Sequence, residues 1–222
     1  MEINAEVLHA VKQYKIVAIV RGVTTADMLP LADALYEGGI RLMEVTFDQK
    51  KENGIFETIR SIEMLAGNRG DRMWIGAGTV LSEEQVREAY EAGAKYIITP
   101  NTNEKVIRAS HEFGMPIMCG AFTPTEIEFA YRCGADIVKI FPASLAGLDY
   151  IKAVRGPLGH IPMSAVGGVD VNNIADFNRA GATSFGIGGN LVDRSAVERG
   201  DFKMITQKAQ AFVDALARGS AE

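Results

Sequence analysis

The chain has two cysteines, three histidines and one tryptophan in 222 residues, and each scarcity closes off a class of protein. Cys119 and Cys133 lack any paired spacing and sit in apolar or helical surroundings. They read as free, buried thiols of a reducing compartment, not as a disulfide framework. His9, His111 and His160 fall in the first helix, a later helix and a loop entering a strand. None stands at the C-terminal end of a strand, so the sequence offers no metal-ligand set. Positive charge is short as well: 23 Lys and Arg against 28 Asp and Glu leave a formal charge of −5, with no basic run. That excludes the electrostatic footprint of a nucleic-acid binder. No apolar stretch approaches the ~20 residues of a membrane-spanning helix. The segment from Met1 to Lys15, with Glu2, Glu6, Lys12 and Lys15, has the pattern of a short amphipathic helix and not of a signal peptide. A cytoplasmic location, with no membrane partner, is expected.

What is present is ample core material, 47% hydrophobic against 23% charged residues, with a recurring pattern. A helical segment ends in glycine, a short apolar strand follows, and a loop with a capping residue opens the next helix. The glycine stops are Gly38-Gly39, Gly67, Gly93, Gly114, Gly134, Gly156 and Gly181. The strands expected are 16–20, 42–45, 73–77, 96–99, 117–119, 137–140, 163–166 and 184–187. Ser82-Glu83-Glu84-Gln85 and Thr123-Pro124-Thr125-Glu126 have the form of capping boxes. Pro30, inside a helical segment, is expected to kink it. Eight βα units with no linker, each strand continuously apolar, predict a parallel sheet closed into a (β/α)8 TIM barrel, one domain over 1–222, with a short N-terminal helix. A doubly wound open sheet has less support, because no dinucleotide-type glycine turn follows the first strand.

Three residues break the apolar pattern of the strands. Lys139 stands in Ile137-Val138-Lys139-Ile140-Phe141-Pro142, and alternation places it with Ile137 and Phe141 on the barrel interior. Burial disfavours a charged amine, and a neutral amine is a nucleophile towards carbonyls. The bland alternative is a lysine that snorkels to the rim. Glu44, in Leu42-Met43-Glu44-Val45-Thr46, pairs with Leu42 on the same face. An interior carboxyl opposite an interior amine provides imine formation with proton shuttling, or else an ion pair that merely closes the barrel. Arg21 ends the first strand, where it either clamps an anionic group or stays solvated in a loop.

Paired glycines follow the last two strands, Gly167-Gly168 and Gly188-Gly189. Glycine lets backbone amides approach a ligand, and in barrels these two loops are the usual phosphate position. Gly76-Ala77-Gly78-Thr79 after the third strand presents a threonine hydroxyl at the mouth.

Glu44-Val45-Thr46, Gly76 to Val80, Thr99-Pro100, Val138 to Ala143 and Gly167-Gly168 together resemble the 2-keto-3-deoxy-6-phosphogluconate / 4-hydroxy-2-oxoglutarate aldolase family, in order from about Ile16 to Val192. The resemblance implies a class I aldolase without metal or cofactor, releasing pyruvate from a phosphorylated keto acid and assembling as a homotrimer. It implies Lys139 as the Schiff-base residue and Glu44 as the general acid/base. It also implies Thr79 at the pyruvate carboxylate, Pro100 and Phe141 lining its pocket, and Gly167, Gly168, Gly188 and Asn190 around the phosphate. The chain departs from the phosphogluconate-type pattern where an arginine four residues past the glutamate is replaced by Asp48. Arg21 is the candidate to take over its carboxylate contact. Val166 stands where those members tend to have threonine, which is closer to the phosphogalactonate type, and Asn190 where serine is common. The rival readings are a metal-dependent aldolase, a sugar-phosphate isomerase or epimerase, and a non-catalytic barrel.

Overall fold

In the computed structural model, which describes residues 5–219, the eight apolar segments pair edge to edge in parallel and close on themselves, β1-β2-β3-β4-β5-β6-β7-β8. The strands are β1 (Ile16–Val20), β2 (Leu42–Thr46), β3 (Trp74–Gly78) and β4 (Ile97–Ile98), then β5 (Ile117–Ala121), β6 (Ile137–Ile140), β7 (Met163–Val166) and β8 (Ser184–Ile187). The helices between them include α2 (Met28–Glu37), α3 (Gly54–Arg69), α4 (Glu83–Glu91) and α5 (Glu104–Glu112). Next come α6 (Pro124–Arg132), α7 (Ala143–Leu158) and α8 (Ile174–Arg179). The chain starts with α1 (Ala5–Tyr14) and ends with α9 (Arg194–Glu198) and α10 (Phe202–Arg218). Residues 1–4 of the expected N-terminal helix, Glu2 among them, lie outside the described residues. No described helix is long and apolar enough to cross a membrane.

Alternation sorts the strand residues into two cores. Outward residues such as Ala18, Met43, Ile75, Val138 and Phe185 pack under the helices. Inward residues Val17, Leu42, Tyr96, Ile98, Met118 and Ile137 fill the lower barrel, with Val7, Ala10 and Val11 of α1 packed against them. Each fully buried aliphatic side chain contributes about 1.5–3 kcal/mol, so α1 is a plug for the barrel floor. Above this layer the interior positions turn polar or small: Glu44, Gly76, Gly120, Lys139, Ser164 and Ser184.

Several local expectations need correction. Gly67 and Gly156 lie inside α3 and α7, which run on to C-caps at Gly70 and Gly159. Pro30 is the third residue of α2, after a 3-10 turn over Thr25–Asp27. In the first turn its missing N–H has no intrahelical acceptor to lose, so it causes no kink. The break in a helix comes instead at Gly147 of α7, with φ 75° and ψ 173°. Of the two capping boxes, Thr123 with Glu126 is complete, whereas Ser82 only accepts from the Gln85 amide. The Gln85 side chain reaches elsewhere, as described below. Cys119 is buried and Cys133 half-buried, both free, and burial pushes the Cys119 thiol up to about 12.

Candidate active site

Lys139 is the third residue of β6 and points into the barrel. Its register neighbours on the same layer are Gly120 and Ser164, small enough to leave room for a long side chain. Only 8% of it is exposed, so the snorkelling alternative fails. Burial lowers its pKa; the nearby Glu44 carboxyl raises it and the Arg21 guanidinium lowers it. The amine lies 5.1 Å from the centroid of the Phe141 ring.

Glu44 faces the same space from β2, in register with Ile19 and Gly76. A Cβ at Gly78 would stand 2.3 Å from its Oε2, so this carboxyl can lie flat against β3 only because position 78 is glycine. Its Oε2 has no hydrogen-bond partner among the described residues. Burial pushes the carboxyl up to about 7, with the charges of Lys139 and Arg21 pulling the other way. A carboxyl poised there exchanges protons in either direction at neutral pH.

This shift carries a stability signature. The folded pKa lies above the unfolded value of about 4.3, so the folded state holds the extra proton. Glu44 is therefore compatible with full stability below that value and costs stability as pH rises towards about 7. The cost is at most about 4 kcal/mol. Urea midpoints of wild type and Glu44→Gln, compared at about pH 5 and about pH 8, should show wild type losing ground to the variant at the higher pH. A constant difference between the two proteins would contradict the buried, proton-holding carboxyl.

Thr79, just past β3, has φ 57°. For a β-branched residue this left-handed conformation costs about 1–3 kcal/mol and persists only when its surroundings enforce it. The Arg21 Nη2 donates to the Thr79 hydroxyl at 3.0 Å, and Gln49 Nε2 donates to the Thr79 carbonyl at 3.1 Å. Arg21 and Thr79 thus form one polar rim beside Glu44 and Lys139.

The opposite rim comes from β7 and β8. Gly167 and Gly168 have φ 89° and 82°, which only glycine adopts without strain. Their carbonyls accept from Ser144 N at 2.9 Å and from Asn173 Nδ2 at 3.0 Å. Asn190 spends a side-chain N–H on the Val169 carbonyl at 2.8 Å, tying the two glycine loops together. A Cβ at Gly188 or Gly189 would meet nothing within 4 Å, so these two positions border open space.

The residues given site roles from the sequence meet here. Arg21, Glu44, Thr79, Pro100, Lys139, Phe141, Val166, Gly167, Gly168, Gly188 and Asn190 line one cavity of about 690 Å³ at the C-terminal mouth of the barrel. Pro100 is delivered by the loop after β4, which presses so closely on β5 that a Cβ at Gly120 would lie 2.1 Å from the Pro100 carbonyl oxygen. Gly189, the partner of Gly188 in the second glycine pair, lines it too, whereas sequence reasoning gave no site role to Ile19, Val169 and Gly186, which also border the cavity. For Ile19 the signal was available, since alternation puts it on the same face as Val17. Asp48 does not border this cavity. It accepts from the Lys50 amide, sits 4.0 Å from Lys51 and lines a neighbouring lobe of about 720 Å³ that also reaches Arg194. A further groove of about 600 Å³ between α5 and α6, around His111, Phe129 and Cys133, is remote from Lys139. Among the described residues no group of three or more His, Cys, Asp or Glu is gathered as a metal site.

Known proteins are similar to this chain in sequence and in fold. A family signature described as KDPG and KHG aldolase matches residues 7–208. The 2-dehydro-3-deoxy-6-phosphogalactonate aldolase of Escherichia coli (strain K12) is 36% identical over 202 residues, 90% of this chain and 93% of that protein. A native KDPGal structure superposes with a TM-score of 0.83 at 35% identity, over 93% of this chain and 96% of that one. The KDPG aldolase of Legionella pneumophila, with pyruvate captured at low pH as a covalent carbinolamine, superposes with a TM-score of 0.80 at 25% identity, over 91% and 96% of the two chains. With matches of this length running through the strands that carry the interior lysine and glutamate, the chain belongs to the KDPG and KHG aldolase family.

Proposed function

We propose that the chain, acting as one barrel, is a class I aldolase that cleaves a phosphorylated 2-keto-3-deoxy sugar acid to pyruvate and an aldehyde, with Lys139 forming the Schiff base. The observation that carries this reading is the buried Lys139 amine, its pKa lowered by burial, facing a Glu44 carboxyl pushed up to about 7 across one cavity. The carbinolamine captured in the Legionella relative supports the chemistry.

The neutral Lys139 amine adds to the C2 carbonyl, and loss of water leaves a protonated imine. Glu44 takes the proton of the C4 hydroxyl as the C3–C4 bond breaks. The bonding pair moves into the imine and gives an enamine, and the aldehyde leaves. Glu44 returns a proton to C3, and water hydrolyses the imine to pyruvate and the free amine. The iminium is the electron sink, and burial serves it twice, by freeing the amine and by raising the carboxyl pKa. Arg21 and Thr79 hold the carboxylate of the keto acid. Pro100 and Phe141 enclose its C2–C3 portion. Gly167, Gly168, Gly188 and Asn190 receive the phosphate. By the resemblance to its family the chain works in the cytoplasm as a homotrimer.

Substrate choice follows from Val166, which lines the cavity beside the glycine loop with its methyls packed over Gly186. Valine cannot hydrogen-bond a substrate hydroxyl, and such a bond is worth about 0.5–1.5 kcal/mol, or roughly 2- to 13-fold in selectivity. Relaxed choice between the gluco and galacto phosphorylated acids is expected, with slower cleavage of unphosphorylated 4-hydroxy-2-oxoglutarate. Val166→Thr, similar in shape, should shift kcat/KM towards the gluco epimer by that factor, and Arg21→Ala should raise KM for every keto acid. Pyruvate release from both epimers by wild type and Val166→Thr tests this reading. A strictly gluco-selective wild type, unmoved by the substitution, contradicts it.

A further inference from the structure

Thr79 is a strained residue at the centre of the site, and the structure shows what holds it. Gln49, in the loop after β2, and Gln85, in the first turn of α4, face each other as paired amides. Gln49 Nε2 donates to Gln85 Oε1 at 3.2 Å, and Gln85 Nε2 donates back to Gln49 Oε1 at 3.1 Å. The pair is anchored at both ends. Gln85 Oε1 also accepts from the Leu81 amide at 2.8 Å, and Gln49 Nε2 also donates to the Thr79 carbonyl at 3.1 Å. Gln85 is buried, whereas Gln49 is exposed at the mouth, in the neighbouring lobe that shares Arg21 and Thr79 with the cavity of Lys139. The two side chains grip the peptide segment from the Thr79 carbonyl to the Leu81 amide, immediately C-terminal to the left-handed Cα of Thr79. This also explains the incomplete cap of α4, because the Gln85 side chain that would close a capping box is committed to the grip.

We infer that Gln49 and Gln85 are positioning residues for the reaction: their amide pair holds Thr79 in its left-handed conformation, so that its hydroxyl and the Arg21 guanidinium form a single carboxylate-binding rim. The inference rests on the reading of Thr79 and Arg21 as that rim. Neither glutamine lines the cavity around Lys139, so both act through Thr79. Reactivity of the lysine itself should be untouched.

The test is borohydride trapping of pyruvate at varied pyruvate concentration, in wild type, Gln49→Ala, Thr79→Gly and the double variant. Gln49 is exposed, so its truncation leaves the fold intact, and thermal unfolding of each variant verifies this. Gln49→Ala should raise the pyruvate concentration for half-maximal trapping about 3- to 10-fold and leave the saturating trapping rate and the modified peptide unchanged. Glycine adopts positive φ without help. In the Thr79→Gly background, removal of Gln49 should therefore add nothing further, a non-additivity expected of residues acting through one another. Unchanged half-saturation in Gln49→Ala overturns the inference, and so do additive effects in the double variant. If wild type traps nothing, the imine reading itself fails and this inference falls with it.

Discussion

Lys139→Arg is expected to abolish turnover, by more than about 10⁴-fold, as loss of a covalent nucleophile does elsewhere. Guanidinium stays protonated at any accessible pH and cannot supply a neutral amine. The substitution nevertheless keeps a positive charge on a long stem between Gly120 and Ser164, so the loss cannot be ascribed to an emptied interior. Binding of the keto acid through Thr79, Arg21 and the glycine loops should survive in part, and the variant should still protect against thermal unfolding when substrate is added. Steady-state pyruvate release measures the effect. Activity within tenfold of wild type would remove the lysine from the chemistry.

Glu44→Gln separates imine formation from proton transfer. The amide fits the slot beside Gly78 but cannot cycle a proton. Cleavage should fall by roughly 10²–10⁴-fold, while borohydride trapping of pyruvate persists. Exchange of the pyruvate methyl protons with heavy water reports the C3 proton step alone, and it should fall in parallel with cleavage. Unchanged exchange would assign the base to another group.

The fold was legible because its signals are repeated eight times: apolar runs of four or five residues, glycine stops and caps agree with one another along the chain. Local errors arose where one signal was read alone. Gly67 and Gly156 have the residue type of a stop but lie within helices, and Pro30 has the residue type of a kink but falls in a first turn, because the 3-10 turn that shifts the helix start leaves no periodic trace. The site was legible where a residue violates its environment. Lys139 and Glu44 are costly in an apolar strand, and that cost marks them. Gln49 violates nothing in its loop, and Gln85 is fully explained locally as a capping residue. Their pairing joins residues 36 apart in sequence and exists only once β2 and β3 bring the two loops together. Gly78 likewise gains its meaning from Glu44 on the neighbouring strand. Close approach of this kind is a tertiary property that a run of glycines cannot specify.

The central claim is that an amine on β6 becomes covalently joined to the keto acid, and wild-type trapping tests it most directly. Incubation with pyruvate and borohydride, followed by peptide mass mapping, should show one reduced adduct per chain, confined to the peptide containing Lys139 and undiminished by a chelator. No adduct, or an adduct on any other lysine, would contradict the account.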